Sequence, residues 1–227
     1  MEIPLKILLF FELLACVFGI INYNKVKNTP WQYFSLYLIF IVFSEILGVF
    51  LLLYLPDTNY NTFYFSYFEI PIEFNFFFLL FYLFEKNPGK RKLPGVFAVI
   101  YLIAWLSGIF YFKEKHPNFD SVSYTIGALL LLILILRFFI RLITSDELMK
   151  FRENRLFWVC LGLLTFYLGS FPYFSLISIP HQTLKNLLPK YKELFTTYMY
   201  IVYGLNSFMY LTFAFSFIWG KNKTSSH

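Results

Sequence analysis

The sequence predicts an all-α polytopic membrane protein: seven transmembrane helices in one bundle, with the N-terminus outside and the C-terminus inside. Three observations predict it. Hydrophobic residues make up 59% of the 227-residue chain and charged residues only 14%, too little polar surface to cover a soluble core of this size. Seven apolar stretches are each long enough to cross a hydrocarbon core of roughly 30 Å at a rise of about 1.5 Å per residue. Lysine and arginine fall unevenly on the two sides that those stretches define.

The spans are expected at 3–21, 33–55, 63–84, 94–112, 121–143, 156–180 and 194–219. Short loops carrying Asn, Pro, Asp, Lys and Gly separate them, which leaves a single transmembrane domain over 1–227 and no room for a soluble one. The first span carries Glu12 at its centre, has no basic region ahead of it and shows no small-residue cleavage pattern. It therefore reads as a retained helix, not a signal peptide. Thirteen of the nineteen Lys and Arg residues fall on one side, from Lys25 and Lys27 through Arg91, Arg137, Arg152 and Arg155 to Lys221 and Lys223. That side is expected to face the cytoplasm. The net charge of +6 is accounted for by this bias, so no nucleic-acid partner is expected. An inner, cytoplasmic membrane of bacterial type is the expected location. Cys16 and Cys160 lie inside spans 1 and 6 and read as small packing residues.

Four glutamates interrupt these spans: Glu12, Glu45, Glu69 and Glu73. No Lys or Arg occurs between Lys27 and Lys86 to neutralise the last three. An ionisable side chain at membrane depth is costly and marks a functional site by default. Glu12, Glu45 and Glu73 stand near the midpoints of spans 1, 2 and 3. Tyr167 and Asn206 stand near those of spans 6 and 7, whereas spans 4 and 5 place Ile103 and Leu132 there. This agreement in depth predicts a shared internal cavity. Glu69 lies one helical turn from Glu73 and is expected to line an entry from outside. Pro71, between them, is expected to loosen the helix and free a carbonyl. Neutralisation is expected by protonation of some carboxyls or by a bound cation.

The alternative for Glu12 is interhelical glue, because Ala15, Cys16 and Gly19 share its face. In span 7, Tyr203, Asn206, Tyr210, Phe213 and Phe217 form one stripe whose polar ends need partners in lipid. Gly162 and Gly169 in span 6 predict close helix approach, and Pro172 a kink. The ligand-binding set is therefore Glu45, Glu69, Glu73, Tyr167, Asn206 and Tyr210. Loop 5 begins Thr144-Ser145-Asp146-Glu147, a capping-box pattern for a short helix, and continues as a cationic end suited to anionic lipid or a docking partner. Loop 6, Pro180 to Glu193, spaces Leu184, Leu187 and Leu188 as a short amphipathic helix.

Several chemistries lack their residues. Span 7 has no lysine for a retinal Schiff base. His116, His181 and His227 lie in loops or the tail, so no intramembrane histidine cluster suggests a zinc hydrolase, and no phosphate-binding Gly-rich loop occurs. No cofactor and no catalytic residue are expected. Residues 70–78, Ile-Pro-Ile-Glu-Phe-Asn-Phe-Phe-Phe, resemble the Pro-x-Glu helix of heterodimer-type lycopene cyclases, but the paired acids and the repeated copy are missing.

A broader resemblance covers spans 2 through 7. It rests on Glu45 with Leu47-Gly48, Glu73-Phe74, Asn154, Phe157-Trp158, Gly162, Phe166-Tyr167-Leu168-Gly169, Asn206, Tyr210, Ala214-Phe215 and Trp219. In these residues the chain resembles an uncharacterised seven-helix inner-membrane family common in Bacteroidetes, similar to the membrane sensor parts of signalling proteins. Glu12 and Glu69 stand outside that pattern. The resemblance implies a non-catalytic receptor or sensor. A small ligand, proton or cation would enter from outside, and a cytoplasmic signalling partner would read loops 3 and 5. Proton or cation permeation is the alternative, followed by an intramembrane lipid enzyme using Glu45 and Glu73 as acid and base.

Overall fold

The computed structural model describes residues 3–55, 59–85, 87–112, 119–144, 151–176 and 191–220. These are almost wholly helical, with turns between the helices and no strand among the described residues. The elements are α1 (Ile3–Ile21), α2 (Tyr23–Val26), α3 (Trp31–Tyr54), α4 (Asn59–Tyr64), α5 (Ile70–Phe84), α6 (Pro88–Ser107), α7 (Ser121–Ile143), α8 (Arg155–Leu176) and α9 (Tyr191–Trp219). A π-helical turn, Phe65–Glu69, joins α4 to α5, and a second, Gly108–Phe112, extends α6. Among the described residues, seven helical stretches are long and apolar enough to cross a membrane. They coincide with the seven expected spans to within a few residues, except that span 4 begins earlier, at Pro88. The expected capping box falls mostly on residues 145–150, and the loop 6 helix almost wholly on 177–190; both lie outside the described residues.

The faces of these helices follow the 3.6-residue period. On α1, Leu8, Glu12, Ala15 and Cys16 are buried, while Phe10, Leu13, Val17 and Ile20 are exposed. On α3, Phe34, Ser35, Leu38, Ile41 and Ser44 are buried, and Tyr33, Leu36, Phe43, Ile46, Phe50 and Leu53 are exposed. Exposed apolar stripes of this extent suit a lipid environment. At 24 residues, α3 is about 36 Å long, enough to span the hydrocarbon with some tilt.

The chain divides into two compact units. The first comprises residues 1–43, 133–168 and 203–227, and the second 44–132 and 169–202.

In the first unit, α1, α3 and α9 pack through small residues and rings. A side chain at Gly19 would meet Leu38 at 3.4 Å and Phe217 at 3.7 Å. Phe34 is fully buried and contacts Phe213 edge-on at 5.2 Å and Phe217 in a stack at 5.8 Å. The expected close approach at Gly162 is present: a Cβ there would meet the Thr212 hydroxyl and stand 3.1 Å from the Met209 backbone. Gly162→Val should therefore destabilise the fold by about 1–3 kcal/mol, since an added side chain would have to push α8 away from α9. Thermal unfolding in detergent would measure this; an unchanged midpoint would contradict the close packing. Cys16 and Cys160 are both buried and free.

In the second unit, the helix register is broken where it matters. Pro71 cannot donate a backbone hydrogen bond. The chain accommodates it with the π-helical turn just upstream, where the Ile70 N–H reaches back five residues to the Phe65 carbonyl. Position 71 then supplies no donor to the carbonyls of Ser66 or Tyr67. The Pro71 carbonyl accepts from the Asn75 side chain at 2.8 Å. Helix α6 starts with Pro88 at its first turn, and the Asn87 side chain caps it by accepting the Gly89 N–H at 3.0 Å. Arg91 donates to the Tyr82 carbonyl at 3.1 Å and lies over the Tyr82 ring at 4.3 Å.

Candidate functional site

The second unit gathers three of the glutamates around one serine. Ser44 is fully buried on α3, and its hydroxyl donates to the Glu69 carboxylate of the π-helical turn. The same hydroxyl oxygen lies 2.7 Å from the Tyr64 hydroxyl, the last residue of α4. Tyr64, Ser44 and Glu69 thus form a continuous hydrogen-bonded chain across three elements. Glu69 is 6% exposed, and Glu45 and Glu73 are half-buried. All three carboxyls lie close enough for their charges to interact, Glu45 with Glu73 and Glu69 with both.

Local sequence explains the placement. Gly48, one turn beyond Glu45, lets α3 lie against the start of span 3: a Cβ there would stand 2.6 Å from the Phe65 ring. The Gly48 carbonyl accepts from the Asn61 side chain at 2.6 Å. These contacts set α4 and the π-helical turn beside Ser44 and Glu45. Glu69 sits in the turn itself. The turn replaces the regular i, i+4 geometry between Glu69 and Glu73, yet the two remain electrostatic neighbours.

Spans 4 and 5 correct one expectation. They contribute polar groups near Glu73 after all. Tyr101 on α6 and Tyr124 on α7 are buried, and the charge of Glu73 reaches both hydroxyls. The estimate by midpoint missed Tyr101 because α6 begins at Pro88, which moves its centre toward the N-terminus. Tyr124 lies 3.3 Å from the Ser170 hydroxyl. Between the two tyrosines sits Phe74, fully buried, with ring centroids 4.9 Å from Tyr101 and 5.7 Å from Tyr124.

The remaining expected residues belong to the first unit. Tyr167 is buried on α8, and Tyr210 is buried on α9 with its ring edge-on to Phe213 at 5.6 Å. Asn206 is half-buried, and its side-chain oxygen has no hydrogen-bond partner among the described residues. Glu12, also in the first unit, is 1% exposed on the packing face of α1 with Ala15 and Cys16.

Sequence reasoning passed over Ser44, Tyr64, Tyr101, Tyr124 and Asp120. Ser44 adjoins Glu45, but serine is ordinary in membrane helices. Asp120 lay at a loop boundary, although Asp-Ser-Val-Ser is an N-cap pattern.

Among the described residues, no group of three His, Cys, Asp or Glu side chains is arranged to hold a metal ion. The arrangement can bind and pass protons through hydroxyls, or hold a ligand that neutralises carboxyls. No protein-family model, curated protein or solved structure matches the chain.

Proposed function

We propose that this protein is a non-catalytic seven-helix membrane receptor or sensor whose responsive element is the carboxyl cluster of Glu45, Glu69 and Glu73. The observation that carries the reading is the Ser44 hydroxyl, bonded at once to Glu69 and Tyr64, beside two further carboxyls. The sequence offers these carboxyls no fixed cation between Lys27 and Lys86. A proton, a cation or a small cationic ligand acting on this cluster changes the energy of the packing around α3, α5 and the π-helical turn. The orientation is N-out and C-in, in a bacterial inner membrane, and a cytoplasmic partner reads loops 3 and 5. Reporter fusions after Lys86 and after Lys221 should both report cytoplasm; disagreement between them would overturn the topology.

A second reading, proton or cation permeation, draws on the Tyr64–Ser44–Glu69 chain, since linked hydroxyl and carboxyl groups are the parts of a proton relay. Reconstituted liposomes separate the two. Under the receptor reading, proteoliposomes holding a pH-sensitive dye and facing an imposed gradient equilibrate no faster than empty ones. Spin labels at Arg152 and Lys221 change separation on acidification. Rapid equilibration that Glu69→Gln abolishes would transfer the assignment to permeation.

A further inference from the structure

A second polar centre lies in the same unit, at Asp120. Its side chain is 4% exposed at the N-terminus of α7. One carboxylate oxygen, Oδ1, accepts the Ser123 N–H at 3.1 Å and caps the helix. The other, Oδ2, is buried and has no hydrogen-bond partner among the described residues. The cap alone would explain an aspartate here; it does not explain a buried second oxygen left without a donor.

The surroundings of Asp120 are built from oxygen. Its N–H donates to the Ser66 hydroxyl at 2.8 Å, and the Ser123 hydroxyl donates to its carbonyl at 3.4 Å. The hydroxyls of Tyr101 and Tyr67 are its electrostatic neighbours. Both π-helical turns lie against Asp120. Ser66 belongs to the first, and Gly108 opens the second. A Cβ on Gly108 would collide with Oδ2 of Asp120, so the glycine leaves the space in which that oxygen lies.

We propose that Asp120 is a binding site for a monovalent alkali cation, held by its free carboxylate oxygen with the neighbouring hydroxyls of Ser66, Ser123 and Tyr101. An all-oxygen set selects a hard cation over a thiolate- or imidazole-seeking one. One carboxylate balances one positive charge, whereas a divalent ion would leave net charge in a poorly solvated setting. The site is separate from the glutamate cluster and does not depend on the receptor reading.

The test uses the full chain purified in sodium-free detergent, with choline exchanged for sodium at constant ionic strength. Unfolding is followed with a thiol-reactive dye, since Cys16 and Cys160 are buried in the fold. Sodium should raise the melting temperature saturably. Asp120→Asn should abolish that rise, and Glu69→Gln should retain it. Equal melting in choline and sodium overturns the site, as does a sodium response that survives Asp120→Asn or disappears with Glu69→Gln. Should Asp120→Asn yield no folded protein, Tyr101→Phe decides. It keeps the ring and should move the sodium midpoint about fivefold higher, the effect of losing one polar contact; an unmoved midpoint overturns the proposal.

Discussion

Gly127→Val should be among the most damaging single substitutions in the chain. A Cβ at Gly127 would stand 2.8 Å from the Tyr101 ring and 2.9 Å from the Phe74 ring. Both rings are fully buried and already packed against each other. Neither can step aside without displacing Tyr124 or Phe78, which Phe74 also contacts. Overpacking of this kind costs about 1–3 kcal/mol, and more when backbone has to move. In lipid the hydrophobic effect does not hold helices together, so lost ring packing is a direct loss to association. The expected readout is a lower melting temperature in detergent and a larger yield of aggregated protein. Gly127→Ala should show a smaller effect of the same sign. A Val variant as stable as the wild type would mean that α7 does not approach α5 and α6 as closely as the geometry requires.

Ser44→Ala should cost about 1–3 kcal/mol, which is large for the removal of a single oxygen atom. The hydroxyl serves Glu69 and Tyr64 together, and Ser44 is fully buried. Removing it leaves a buried carboxyl without its donor and a tyrosine without its partner, the costly case of an unmade hydrogen bond. Ser44→Ala and Glu69→Gln should also be non-additive, with a coupling of about 0.5–3 kcal/mol in a double-mutant cycle of unfolding free energies. Strict additivity would show that the two side chains do not share a bond.

The seven spans were legible because bilayer thickness imposes a length of apolar residues that few other constraints produce, and α1 and α7 match their expected limits end to end. The π-helical turns were not legible. Hydropathy reports which residues avoid water and carries no information on whether an N–H reaches four residues back or five. Pro71 signalled a disturbance, but not that the chain would absorb it upstream at Phe65–Glu69. The glutamates stood out because a carboxyl among apolar residues is costly at membrane depth. Ser44 and Tyr64 did not, since serine and tyrosine are common in membrane helices and become informative only through their partners. Asp120 was hidden for another reason: it sits at the edge of an apolar run, where aspartate is expected, and only its burial marks it.

The proposed function requires Glu45, Glu69 and Glu73 to act as one responsive site. Its most direct test is thermal stability as a function of pH in sodium-free detergent. Ionising Glu45 or Glu69 places a negative charge in a poorly solvated setting beside other carboxyls. Protonation therefore favours the folded state, and the stabilisation should be present near pH 5 and lost progressively toward about pH 8. The variant Glu45→Gln/Glu69→Gln/Glu73→Gln keeps the shape and removes the titrating groups. The wild-type melting temperature should fall across this interval while that of the triple variant stays nearly level. A triple variant that folds and retains the full wild-type pH dependence would contradict it, leaving the three glutamates as interhelical hydrogen-bonding groups without a sensing role.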